Sequence, residues 1–137
     1  MRKILGILIG AFSAIAISAA IGWLNGALYP VSLDIDAADP ETLAAVIGGM
    51  PVPAKLIAVA AWFCGAFGGA WLALRICDWR WAGWIVAAVV VAQALLAILN
   101  LPHPLWMQAC ALLLPLLGGW FAVRLHHKPY PGEPLLG

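Results

Sequence analysis

Residues 100 to 106 read NLPHPLW, a histidine held between two prolines with an asparagine and a tryptophan close by. Two kinds of chemistry are open to that stretch. The imidazole of His103 can change charge between pH 5 and 8, so a half-exposed His103 could sense outside pH or touch a ligand, with Asn100 at matching depth on the other side of the turn. Pro102 and Pro104 could equally make the segment a plain hairpin turn, the first blocking a helix and the second starting one. Gln93 and Gln108 flank the same turn. If the hairpin folds about Leu101 and Pro102, positions summing to about 203 share a depth, and Gln93 lies only ~3 Å along the axis from Gln108. Their amides could bond one another, a contact of roughly 0.6 to 2 kcal/mol, or they could line a polar path for a ligand or ion.

Other chemistry-bearing residues form weaker patterns. Asp34, Asp36, Asp39 and Glu41 are weak cation candidates because they lack the Asp-x-Asp-x-Asp-Gly spacing of a calcium loop. Asp39 also reads as a helix N-cap, with Pro40 at the first helical position and Glu41 in the first turn. The adjacent His126 and His127 lack the further ligands that a metal site requires. Cys64, Cys77 and Cys110 are odd in number and widely spaced, which disfavours redox exchange or zinc and favours packing. No base, nucleophile and orienting group are visible together, so no catalytic residue, metal or cofactor is assigned.

The elements that position these residues follow from composition. The chain has 137 residues, of which 65% are hydrophobic and 9% charged, and its mean hydropathy is +1.01. Soluble domains carry roughly 25% charged residues, so the expected class is an all-α membrane protein in a single domain, 1–137. A net charge of +1 without clustered Lys and Arg argues against nucleic acid. A bilayer core needs ~20 apolar residues in helix. Four such runs occur, at about 4–24, 54–74, 82–99 and 105–123, joined by an outer loop 25–53 and followed by a tail 124–137. The first resembles a signal peptide but is too long for an h-region, and reads as an uncleaved anchor. Pro115 in the fourth run leaves the Ala111 carbonyl without its usual donor, which predicts a kink. Within the loop, a short helix at about 40–47 should lie at the outer interface or over the bundle mouth.

Arg2, Lys3, Arg75, Arg80, Arg124 and Lys128 fall on one side of the four spans and only Lys55 on the other. The positive-inside rule then makes both termini cytoplasmic, as expected for a bacterial inner-membrane protein. Ionisable groups are missing from the middle of every span, including the embedded glutamate that small four-helix drug exporters carry in their first helix, which argues against proton-coupled transport.

Small residues drive helix association where lipid surrounds the helices. Gly6 and Gly10 form one GxxxG pair and Gly65 and Gly69 another. Ala58, Ala61, Gly65 and Gly68 form a stripe expected to face another helix, with Phe63, Phe67, Trp71 and Leu74 facing lipid or a partner. Two such surfaces in a small bundle predict that one of them is intermolecular. Leu24-Asn25 and Leu99-Asn100, then Gly68-Gly69 with Arg75 and Gly118-Gly119 with Arg124, hint at two parallel helix-hairpin repeats.

Three functions fit these features. One is a non-enzymatic accessory or assembly subunit, a homo-oligomer or a member of a larger membrane complex, with membrane lipids as partners. Another is an oligomeric channel, carrier or lipid-handling protein using the Gln93 and Gln108 region. The third, a membrane enzyme using His103 and the outer acids, has the least support.

Overall fold

A computed structural model describes residues 1–30 and 39–126. The described chain is helical throughout: α1 Arg2–Leu28, α2 Pro40–Gly49, α3 Val52–Cys77, α4 Arg80–Asn100 and α5 Leu105–Leu125. Four of these helices, all but α2, are long and apolar enough to cross a membrane, and by length and composition they are those of an integral membrane protein. In hydrocarbon every backbone N–H and C=O needs an internal partner, which a continuous helix supplies.

Local sequence sets the helix ends. Asp39 caps α2, its carboxylate accepting from the Glu41 amide at 3.3 Å and from the Thr42 hydroxyl at 2.9 Å. Helix α4 stops at Asn100 because Leu101 is extended (φ −133°, ψ 129°), the conformation favoured before proline. Pro104 precedes the first turn of α5. Helix α5 continues through the buried Pro115. Between α3 and α4, Asp78 adopts a left-handed conformation (φ 42°, ψ 39°) and its amide donates to the Leu74 carbonyl at 2.9 Å. Asp and Asn tolerate that region better than other side chains do.

The α1/α3 pair has a simple register. The buried residues of α1 are Gly6, Gly10, Ala14, Ser18 and Asn25. Against them lie Ala73, Gly69, Gly65, Ala61 and Ala54 of α3, so that each opposed pair sums to 79. The helices are therefore antiparallel and meet almost backbone to backbone. A Cβ on Gly10 would lie 2.7 Å from the Gly69 carbonyl oxygen, and one on Gly65 would lie 2.8 Å from that of Ala14. Two polar side chains reinforce the contact: Ser18 Oγ donates to the Ala61 carbonyl at 3.2 Å, and Asn25 Nδ2 to that of Ala54 at 3.0 Å.

Helix α3 is the centre of the bundle. It packs on α1, α4 and α5, whereas α5 packs on α3 and α4 alone among the described residues. Gly118 sits on the backbone of Phe63 and Phe67, and Gly119 against Ala87. Leu74, Val86 and Val90 fill the layer beneath.

Three expectations about packing require correction. The stripe of α3 that seats α1 is Ala54, Ala61, Gly65, Gly69 and Ala73; Ala58 and Gly68 are half-buried at its margin. Leu74, expected to face outward, is 1% exposed, because the Gly83 backbone leaves room for it. The glycine pairs Gly6/Gly10 and Gly65/Gly69 are spent on each other within one chain, so neither remains for a second copy.

Candidate functional site

The turn of NLPHPLW satisfies itself. His103 Nδ1 lies 2.7 Å from the Leu101 carbonyl oxygen, and Asn100 Nδ2 donates to that of Leu96 at 2.7 Å. Gln108 Nε2 donates to the His103 carbonyl at 2.9 Å, closing the turn from the α5 side. The imidazole leans on the Trp62 ring of α3, with centroids 6.3 Å apart and planes tilted by 54°. His103 is half-buried and Trp62 is 8% exposed. The residues brought together here are those of a braced corner.

The Gln93 to Gln108 contact does not form. Gly83 opposes Val123 and Gly119 opposes Ala87, so α4 and α5 pair at a sum of 206. The turn holds four non-helical residues, 101–104, and is centred on His103 rather than on Leu101 and Pro102. Gln93 is then level with Leu113, five residues or about 7.5 Å along the axis from Gln108. Gln108 finds the turn carbonyl instead, while the buried Oε1 of Gln93 has no hydrogen-bond partner among the described residues.

At the other end of the bundle the positive charges gather. Arg2, Lys3, Arg75, Arg80 and Arg124 lie at the helix ends there, and Asp78 is the single carboxylate among the described residues of that end. The imidazole Nε2 of His126 donates to Oδ1 of Asp78 at 2.8 Å, with side-chain exposures of 10% and 29%. Leu74, Arg80 and Val123 join the pair around a cavity of about 200 Å³. A carboxylate against one ring nitrogen orients an imidazole and leaves Nδ1 to hold or pass a proton. Here the bond also ties the end of α3 to the end of α5.

Three cations of this end stack on tryptophans. Lys3 Nζ lies 5.3 Å from the Trp79 ring, the Arg75 guanidinium 5.5 Å from Trp71, and that of Arg124 5.0 Å from Trp120. Such contacts hold a cation at an interface while its apolar stem stays against the bundle.

The remaining candidates are not grouped. Asp39 is occupied by capping, Glu41 is exposed, and Asp34, Asp36 and His127 lie outside the described residues. Among the described residues no three His, Cys, Asp or Glu side chains converge as metal ligands. All three thiols are free. Cys77 Sγ donates to the Ala73 carbonyl at 3.0 Å, and Cys64 is exposed rather than buried in packing.

Sequence reasoning missed the Asp78–His126 pair, since 48 residues separate its members. It also missed Gly22 and Gly26, an i,i+4 pair on α1 whose missing side chains face open space. That spacing was readable; what the sequence did not mark was the direction in which it faced. No protein-family model matches the chain, and neither a curated protein nor a solved structure matches it.

Proposed function

We propose that the protein is a non-enzymatic accessory or assembly subunit of a bacterial inner membrane, with both termini cytoplasmic, that packs laterally against a second copy or other membrane subunits. The observation that carries this reading is the open pair Gly22 and Gly26 on the exposed side of α1, next to exposed Ala19 and Ala20. Small residues at that spacing let a neighbouring helix approach closely in lipid. The rest of the bundle supports a structural role. Gly10, Gly65, Gly69 and Gly118 are used against neighbouring backbones, and Ser18 and Asn25 donate to main-chain carbonyls.

The proposal includes two parallel helix-hairpin repeats and an interfacial position for α2. Gly69 and Gly119 each pack on the first helix of their own hairpin, which supports the duplication. Helix α2 lies along none of the long helices, and Lys55 Nζ donates to its Gly48 carbonyl at 2.9 Å, which supports an interfacial helix more than a lid.

Fluorescently labelled protein in liposomes, counted by single-molecule photobleaching across a dilution series, tests the reading. The expected result is an oligomer that the G22I/G26I variant dissociates while keeping its helical content. A strictly monomeric wild type would remove the basis for assembly through this surface. The alternative, an oligomeric channel, carrier or lipid-handling protein, is favoured by one observation, the buried Oε1 of Gln93 that has no partner among the described residues. Solute flux into the same liposomes that Gln93→Leu abolishes would favour it.

A further inference from the structure

We infer that the groove between α1 and α3 binds an anionic phospholipid, its acyl chain along the groove and its phosphate on Arg75. The groove has a volume of about 520 Å³, within the ~300 to 1,000 Å³ usual for small-ligand sites. Phe12, Ala16 and Ile17 line it from α1, and Gly68, Trp71 and Arg75 from α3. Gly68 creates the depth: a Cβ there would meet Ile17 Cδ1 at 2.7 Å. From Gly68 to Arg75 the groove follows the helix axis for about 10 Å, with Ser13 the one polar side chain among its otherwise apolar lining before the cation at the basic end.

Charge decides the occupant. Arg75 has no carboxylate within ion-pair distance among the described residues, where the one ion pair is Asp78 with His126. Its guanidinium rests on the Trp71 ring, which fixes its place at the mouth of the groove. A second copy lying in the same orientation would bring its own basic end to this cation, and among the described residues that end offers only the carboxylate already bonded to His126. A phosphate supplies the missing charge, and a lipid brings it attached to a chain that fills the apolar part. The arrangement also recurs. Trp120 and Arg124 of α5 repeat the stacked pair, and Trp120 lines a smaller groove of about 340 Å³ between α4 and α5.

Native mass spectrometry of the full chain, released from nanodiscs of equal phosphatidylcholine and phosphatidylglycerol, tests the assignment. Wild type is expected to retain phosphatidylglycerol preferentially. R75Q should lower that preference roughly fivefold, R75K should keep most of it, and Ala16→Trp, which fills the groove without touching the charge, should lower retention of both lipids. Free glycerol 3-phosphate, lacking the chain, should not displace the lipid; if it does so at concentrations equal to that of the lipid, the groove contributes nothing and the assignment fails. The inference is also overturned if folded R75Q retains phosphatidylglycerol as wild type does, or if R2Q/K3Q lowers the preference as much as R75Q. A dimer that forms equally in R75Q and excludes lipid would give the groove to a second copy instead.

Discussion

Gly10 of α1 and Gly69 of α3 meet through their backbones: a methyl group on Gly10 would lie 2.7 Å from the Gly69 carbonyl oxygen. The contact lies near the middle of a register in which all five buried residues of α1 are small or polar. Gly69→Ala would place its Cβ against the Gly10 carbonyl and Ala14, neither of which can swing aside. The expected cost is about 1 to 3 kcal/mol, as for overpacking elsewhere. Gly22→Ala, which meets nothing within 4 Å, should leave the stability of the isolated chain unchanged within about 0.5 kcal/mol. Unfolding by steric trapping in bicelles would measure both, and equal losses would refute the register.

Asp78 and His126 carry a second prediction. Their bond joins the C-terminal ends of two helices at a residue held at positive φ. Partial exposure limits the pair to a coupling of about 1 kcal/mol. His126→Ala and Asp78→Ala should each destabilise the bundle, and the double variant should lose less than the sum. Asp78→Asn tolerates the left-handed backbone and keeps an acceptor, so it should cost less than Asp78→Ala. A double-mutant cycle with no coupling would show that the two side chains only lie near one another.

The two glutamines should respond with opposite signs. Gln108→Ala removes the donor that closes the His103 carbonyl, at about 0.6 to 2 kcal/mol. Gln93→Leu replaces a buried oxygen that has no partner among the described residues, and removing such a group is neutral or stabilising. Because α4 and α5 keep the two amides about 7.5 Å apart along the axis, the double variant should equal the sum of the singles. Coupling above about 0.5 kcal/mol would indicate that the amides do meet.

Much of this fold was legible because hydrophobic run length reports spans directly. Each apolar run lies inside one long helix. Rotation about the helix axis was not legible. In helices apolar on all sides, Gly65, Gly68 and Gly69 offer three similar stripes, and only the partner decides that Gly69 turns toward α1 while Gly68 opens a groove. Axial register was lost by a short step as well. Centring the hairpin on His103 instead of on Leu101 and Pro102 moves the depth sum from 203 to 206 and separates Gln93 from Gln108. The matching Leu-Asn pairs show the same limit: Asn25 is 7% exposed and bonds across to Ala54, while the exposed Asn100 bonds its own helix. The Asp78–His126 pair depended on the left-handed turn at Asp78, which no local sequence signal announced.

His103 stands at the corner of the α4/α5 hairpin. Its ring contributes through the Trp62 face and through the Leu101 carbonyl, and the two contributions can be separated. His103→Phe keeps an aromatic ring and loses the bond; His103→Ala loses both. A ring pair is worth about 0.5 to 1.5 kcal/mol beyond its burial. His103→Ala should therefore lower stability by about 1 kcal/mol and weaken the near-ultraviolet dichroism of Trp62, with His103→Phe recovering most of both. A ligand contact at the imidazole would produce another pattern: both variants would lose binding equally while stability and the Trp62 signal stayed at wild-type values.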